Sequence, residues 1–268
     1  MNEHYIIKGE TLTDIADTIR EKTSTQETIT PEEMANGVNE VYEAGKKSEY
    51  DMFWDTYQNK GNAQGRHGRM FFGEQWNNQT FNPKYDIKLV DSGAGIGTFY
   101  RSEIRNIHEK LLEKGLALVI GVNCKNLTEM FSLCSTKEIP PIETGHCTTF
   151  TNCAKCDTRN TLVTIHKINF TSATSLSGAF SKCGALKNIT VEGTIPISIS
   201  FSDSPLTVES IKNIITHLKD YSGTTNAGTY TLTLKDSCKT EMAEQGAIEE
   251  LGGKTYDQYI TDIGWNLA

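Results

Sequence analysis

Apolar residues in the first 60 positions have the spacing of a helix face. Leu12, Ile15 and Ile19 follow one another at intervals of three and four, which predicts a short helix ending near Lys22. A second helix is expected to begin at the run TPEE, residues 30–33, because its threonine and second glutamate have capping-box spacing and proline suits the first helical position. The chain is therefore expected to open with a helical segment.

The predicted second helix has two interpretations. Its inward positions alternate in steps of four and three, as in a coiled-coil seam formed by Met34, Val38, Val41, Gly45, Ser48 and Met52. Either this helix mediates self-association, or it packs as an amphipathic helix on its own domain. The next segment, 58–88, is rich in Gly, Asn and Gln, which predicts a loop held in place by Phe71, Phe72, Trp76 and Phe81.

From residue 95 onwards a short unit recurs, in which an apolar residue precedes a phenylalanine by four positions and a small residue follows it by three. Three copies agree closely, one carries histidine in the apolar position, and one is degenerate. In chain order the copies are Gly95-Phe99-Ser102, Leu127-Phe131-Cys134, His146-Phe150-Cys153, Leu176-Phe180-Cys183 and Ile197-Phe201-Ser204. Aliphatic pairs three apart, such as Ile139 and Ile142, alternate with these copies.

Each unit is too short to bury its own aliphatic pair, so successive units are expected to stack. This predicts a short, irregular solenoid of parallel strands, with the phenylalanines in one internal row and the aliphatic pairs in another. The cysteines of the unit are then buried structural residues. One insert, IRNIHEKLLEKGLALVIG, is helical in pattern.

The C-terminal pattern predicts a small α/β cap. Thr207 can cap a helix whose apolar face is Val208, Ile211, Ile214, Ile215 and Leu218. The run TYTLTL predicts a strand, a helix is expected from about Glu241 to Leu251, and a last strand from Trp265 to Leu267.

The predicted fold class is therefore α+β: N-terminal helices, then a short leucine-rich-repeat-like solenoid of parallel strands, then a small α/β cap. The predicted domains are a helical attachment segment at 1–60, an aromatic-anchored loop or linker at 61–94, the solenoid at 95–205 and the cap at 206–268.

Composition narrows the classes of partner. The formal charge of −8 and the absence of a dense Lys/Arg block argue against nucleic acid, which is held largely by counterion release. No signal peptide is expected at the N-terminus, and no apolar run approaches the roughly 20 residues that span a bilayer, so no membrane insertion is predicted. Seven cysteines cannot all pair internally, which favours free thiols.

Candidate chemistry is sparse. His146, Cys147, Cys153 and Cys156 offer four zinc ligands within eleven residues, and they form the alternative to a purely structural role for these cysteines. The run SGAGIG at 92–97 lacks the third glycine and the Lys-Ser/Thr of phosphate-binding loops. No catalytic residue and no cofactor are predicted, although two carboxylates across a cleft, as in a glycan-cleaving enzyme, remain an open alternative.

The recurring unit resembles the BspA-like branch of leucine-rich repeats, whose Met-Phe-x-x-Cys and Leu-x-x-Ile elements are matched by Met130, Phe131, Cys134, Ile139 and Ile142. This resemblance covers roughly residues 95–205. Both flanks of the repeats are similar to tail-associated proteins of phages and prophages of Gram-positive gut bacteria. The N-terminal flank shows this in GETLTDIADTIREKT, ITPEEM and VYEAGKKSEYDMFWDTYQ, and the C-terminal flank in SPLTVESIKNIITHLKDYSGT and the final GWNLA.

The resemblance implies a non-enzymatic receptor-binding protein of the virion, assembled in the bacterial cytoplasm and recognising the host surface through its repeats. Its partners would be other tail or baseplate proteins, through the N-terminal helices, and a host-surface glycan or protein; a homotrimer is one expected assembly. The candidate binding positions, chosen because they should face solvent, are Arg105, Asn106, Lys187 and Asn188. A structural tail spacer without ligand and an extracellular surface adhesin are the alternatives.

Overall fold

The computed structural model describes residues 70–157 and 160–268. The chain divides into two units, Met1–Thr56 and Tyr57–Ala268, and every described residue belongs to the second. The predicted helices of segment 1–60, with their coiled-coil seam, lie outside the described residues. In the part of the chain that the structure describes, no helix combines the length and apolar character needed for crossing a bilayer.

The first sheet has two parallel strands, β1 (Ile87–Leu89) and β2 (Leu118–Ile120), joined through helix α1 (Ile107–Leu112). In both strands the first and third residues are buried and the middle residue is exposed. Two expectations are corrected here. The loop predicted for 61–94 contains β1. Of its four predicted aromatic anchors, Phe71, Trp76 and Phe81 are buried, whereas Phe72 is only half-buried. The predicted helical insert is a helix only in its first half, because its last residues alternate as a strand.

The second sheet contains β3 (Glu138–Ile139), β4 (Thr164–Asn169) and β5 (Asn188–Glu192), all parallel. Ile139, Ile165 and Ile189 occupy equivalent register positions and are at most 3% exposed. A register shift interrupts β4 between Ile165 and Ile168. These isoleucines form the core beneath the sheet, so their neighbours along each strand point to the opposite face.

The third sheet is also parallel and contains β6 (Ile199–Phe201), β7 (Tyr230–Leu234) and β8 (Trp265–Leu267). Helix α2 (Val208–Thr216) links β6 to β7. Helix α3 (Asp236–Glu244), a 3-10 turn (Glu249–Leu251) and helix α4 (Tyr256–Asp262) link β7 to β8. The sheet thus joins the end of the predicted solenoid to the predicted cap.

Three of the predicted C-terminal elements are confirmed, namely the Thr207-capped helix, the TYTLTL strand and the final strand. The side-chain oxygen of Thr207 accepts a hydrogen bond from the backbone N–H of Ser210. The helix expected at Glu241–Leu251 is misplaced. Helix α3 starts earlier and ends at Glu244, because Gly246 adopts a left-handed conformation with φ of 64°.

The predicted fold class is wrong. The described residues form a mixed α/β fold with four helices and three small parallel sheets, rather than a solenoid with one ladder of strands. The break after β5 has a clear cause. Ser210 and Asn213 of α2 accept hydrogen bonds from the backbone N–H groups of Ile189 and Val191, so a helix covers the edge where a further strand would have paired.

The recurring Phe-x-x-Cys unit is a turn. In each of the five copies the N–H of the small residue donates to the phenylalanine carbonyl oxygen, at distances of 3.0–3.4 Å. In four copies the residue two after the phenylalanine has a positive φ, and these residues are Arg101, Leu133, Asn152 and Lys182. The unit therefore encodes a local chain reversal, which is why it recurs without a continuous sheet.

The phenylalanines of this unit are buried, as predicted, but among the described residues their ring contacts form two groups and not the single predicted row. Phe99 stacks between Phe71 and Phe131, with ring centroids 5.0 and 5.1 Å apart. In the second group Phe170 meets Phe150 and Phe180 edge-on, and Phe180 stacks on Phe201 at 4.9 Å. The small residues that follow, Cys134, Cys153, Cys183 and Ser204, are also buried.

Candidate functional site

The solvent face of the second sheet carries a row of polar side chains. Glu138, Thr164 and Asn188 are register partners on β3, β4 and β5, and each immediately precedes a buried isoleucine. We refer to these three residues as the outward row. Because the isoleucines fix the backbone on the core side, the row presents a carboxylate, a hydroxyl and an amide at strand spacing, about 4.8 Å apart.

The four predicted binding positions do not form one cluster. Asn188 belongs to the outward row, and exposed Lys187 directly precedes it. Arg105 lies at the other side of this surface, and a series of backbone hydrogen bonds connects it to Lys187. The N–H of Lys137 donates to the Arg105 carbonyl oxygen, the N–H of Val163 to that of Lys137, and the N–H of Lys187 to that of Val163. Three such steps separate Arg105 from Lys187 by about 14 Å.

Asn106 is less available than predicted. It precedes α1 and is half-buried, its side-chain amide donates to Glu109 Oε2 at 3.1 Å, and its amide oxygen is buried without a hydrogen-bond partner. Arg105, by contrast, is exposed as predicted. The candidate surface is therefore centred on the outward row and Lys187, with Arg105 at its margin.

Beside the outward row, two histidines and a glutamate converge. His108 is on α1, Glu138 on β3 and His166 on β4, two residues beyond Thr164 and on the same face. His166 Nε2 lies 2.6 Å from Glu138 Oε2, and the two imidazole centroids are 3.9 Å apart with ring planes inclined by 34°. One potential ligand atom from each residue lies within 4.8 Å of the other two. The arrangement offers two imidazole nitrogens and a carboxylate oxygen to one point.

The electrostatics of this trio favour a neutral His108. Partial burial lowers the pKa of His108, the neighbouring His166 lowers it further, and Glu138 opposes both effects. A neutral imidazole keeps a lone pair on one ring nitrogen, which is the form that binds a metal ion. The trio therefore has ligand types suited to a transition metal.

The alternative zinc site at His146, Cys147, Cys153 and Cys156 is not assembled. His146 Nε2 is hydrogen-bonded to the Gly121 carbonyl oxygen at 2.9 Å, and Cys147 Sγ donates to the Cys124 carbonyl oxygen at 3.1 Å. Cys156 Sγ lies 3.1 Å from Cys183 Sγ. Neighbouring segments thus engage these groups separately, and in residues 70–157 and 160–268 only the His108, Glu138 and His166 trio brings three metal-ligand atoms together.

All seven cysteines are free and buried. Burial raises the pKa of Cys134 to about 11 and that of Cys147 to about 12. Cys156 differs, because a hydrogen bond with the Cys183 thiol lowers its pKa while raising that of Cys183. Since a metal-binding thiol must lose its proton, these raised pKa values oppose metal binding at Cys134 and Cys147.

Sequence reasoning missed the histidine trio. Glu138 precedes Ile139 and His166 follows Ile165, so the aliphatic series already implied that both side chains point outward. What it lacked was the parallel register that sets β3 beside β4. His108 could not be placed from the repeat at all, since it lies in the helical insert.

No protein-family model matches the chain, and neither a curated protein nor a solved structure matches it.

Proposed function

We propose that this chain is a non-enzymatic binding protein of a phage or prophage tail, which recognises a host-surface glycan or protein through the solvent face of its second sheet. The observation that carries the proposal is the outward row: Glu138, Thr164 and Asn188 stand in register on a backbone fixed by three buried isoleucines. A rigid support lowers the entropy cost of ordering these side chains on binding.

The chemistry around the row suits a polar ligand. Lys167, on β4, pairs with Glu143 and, at 3.1 Å, with Glu192, so a mixed-charge patch adjoins the row. Exposed Lys187 and Asn188 add amine and amide donors. Hydroxyl-rich glycans and polar protein surfaces are recognised by such fixed donors and acceptors.

The tail context rests on the sequence resemblance. The N-terminal and C-terminal segments similar to tail-associated proteins support a location in the virion, with assembly in the bacterial cytoplasm. In this proposal segment 1–60 attaches the chain to other tail or baseplate proteins. The sheet face is then the part that is free to meet the host.

Binding to intact cells tests the proposal. The fluorescently labelled full chain is incubated with a panel of Gram-positive gut bacteria and measured by flow cytometry. We expect saturable binding to at least one strain, and about a tenfold loss for the double variant Lys187→Ala and Asn188→Ala, because central interface residues contribute most of the binding energy.

The matched control is Glu241→Ala, an exposed position on α3 that belongs to the third sheet's connection. It should bind like the unmodified chain. A ligand-free tail spacer would bind no strain, and binding that is lost equally in both variants would place the recognition surface elsewhere. Either result would contradict the proposal.

A further inference from the structure

We propose that His108, Glu138 and His166 form a binding site for one divalent transition-metal ion, with zinc as the best-fitting ion. The site shares Glu138 with the outward row, but it is tested separately from host binding because metal binding has its own readout. It rests on the convergence of three ligand groups from three separate elements, α1, β3 and β4.

The donor set selects the class of ion. Two imidazole nitrogens and one carboxylate oxygen suit zinc and its neighbours in the first transition row, whereas calcium and magnesium prefer oxygen ligands alone. Zinc binds imidazole nitrogen and carboxylate oxygen at about 2.0–2.2 Å, which places pairs of tetrahedral ligand atoms about 3.4 Å apart. His166 Nε2 and Glu138 Oε2 are now 2.6 Å apart and all three ligand atoms lie within 4.8 Å of one another, so their separations lie on both sides of that value.

The backbone already holds the ligands. The N–H of Lys137 donates to the Arg105 carbonyl oxygen at 2.9 Å, which sets the start of β3 beside the approach to α1. The β3–β4 register then sets Glu138 opposite Thr164, and His166 follows on the same face. Because the positions are fixed by backbone hydrogen bonds, an ion would need to order only three side chains.

Access and coordination number are also suitable. The side chains of His166 and Glu138 are 34% and 44% exposed, so an ion reaches the site directly from solvent. Three protein ligands leave one tetrahedral position for water or for a ligand on another molecule.

The first test is calorimetric titration of the full chain with zinc chloride after removal of metal by a chelator. We expect one zinc ion per chain. Because a ligand that binds only the folded state stabilises it by mass action, the Tm should rise by about 5–10 °C at zinc concentrations 100-fold above Kd. Absence of binding would overturn the proposal.

Variants identify the ligands. Mutation of residues that only hydrogen-bond to a metal ligand typically lowers metal affinity about 10- to 100-fold. Substituting a ligand itself should cost at least as much, so His108→Gln and Glu138→Gln should each weaken zinc binding at least tenfold. His146→Gln is the matched control, since His146 is also half-buried and belongs to the unassembled cysteine-rich set. Zinc binding lost in His146→Gln but retained in His108→Gln would overturn the proposal.

A measurement on the unmodified chain avoids any dependence on how the variants fold. Cobalt(II) replaces zinc in such sites and gives visible absorption bands that report its coordination. Nitrogen and oxygen ligands are expected to give these bands without the near-ultraviolet charge-transfer band of a thiolate ligand. A strong thiolate band at one equivalent of cobalt would assign the ion to cysteines and refute the site.

Discussion

At the scale of single residues, burial and hydrogen bonding give chemically identical cysteines different acidities. Cys134 and Cys156 are almost equally exposed, at 8% and 7%. Their pKa values nevertheless move in opposite directions, because burial raises that of Cys134 to about 11 while a hydrogen bond with Cys183 lowers that of Cys156. The two residues therefore differ in acidity although they expose similar fractions of their surface.

Alkylation should distinguish the two cysteines. At pH 8 a larger fraction of Cys156 than of Cys134 is expected to be thiolate, so Cys156 should be alkylated faster, although its lower intrinsic nucleophilicity offsets part of the advantage in rate. Mass spectrometry after timed exposure of the folded chain to iodoacetamide measures both sites at once. Equal rates, or a faster Cys134, would contradict the predicted order, and unfolded protein should show similar labelling at both.

A second residue-scale prediction compares two glycines with the same backbone conformation. Gly193 and Gly223 have φ values of 67° and 68°. A Cβ atom at Gly193 would lie 2.2 Å from Thr171 Oγ1, whereas at Gly223 it would meet nothing within 4 Å. Both alanine substitutions incur about 1–2 kcal/mol of left-handed backbone strain, and only Gly193→Ala adds about 1–3 kcal/mol of steric overlap.

Urea unfolding of the two variants measures this difference. Gly223→Ala is the built-in control, because it changes the same residue type in the same conformation. A Gly193→Ala variant no less stable than Gly223→Ala would show that Thr171 and its neighbour Asn169 move aside without cost.

At the scale of elements, helix α2 completes the hydrogen bonding of strand β5. The backbone N–H groups of Ile189 and Val191 donate to Ser210 Oγ at 3.1 Å and to Asn213 Oδ1 at 2.7 Å. Both strand residues are at most 3% exposed. A buried N–H without an acceptor costs about 1–3 kcal/mol, so these two side chains matter beyond their own packing.

Replacing either acceptor with alanine should therefore destabilise the chain. Alanine favours a helix by a few tenths of a kcal/mol, which leaves a net loss of about 1–2 kcal/mol for Ser210→Ala or Asn213→Ala. Thr216→Ala is the control, since Thr216 is exposed on the same helix and its hydroxyl donates to carbonyl oxygens of α2 itself. Denaturant midpoints equal to that control would mean that β5 does not depend on α2.

The same helix explains what the sequence could predict. Its existence, cap and buried face followed from Thr207 and the spacing of its isoleucines, which are local signals. The position of this helix at the edge of β5 could not be predicted in the same way. It depends on contacts of Ser210 and Asn213 with a strand about 20 residues earlier in the chain, and no local pattern encodes those contacts. The solenoid prediction is wrong at this point, because repetition of a turn does not require that the sheet continue.

Helix α4 was missed although a local signal existed. Thr255 and Gln258 have capping-box spacing, and the structure contains both reciprocal hydrogen bonds. The histidine trio, in contrast, required the β3–β4 register and the position of an insert together. Local turns and caps were thus accessible from sequence, while contacts between separate elements were not.

At the scale of the whole molecule, the proposed tail association predicts self-assembly. Tail fibres and tips are built from symmetric copies of one chain, and the alternating four- and three-residue spacing of Met34, Val38 and Val41 offers an apolar seam for such an assembly. Light scattering coupled to size exclusion should give a mass near three times the 29.8 kDa of one chain.

Replacing Val38 and Val41 with glutamate should reduce that mass to the monomer, because like charges would then meet across the seam. The far-ultraviolet circular dichroism and the Tm of the variant should stay close to those of the parent chain, which would show that assembly alone was lost. A parent chain that is monomeric at micromolar concentration, or a trimer that survives both substitutions, would contradict attachment through this segment.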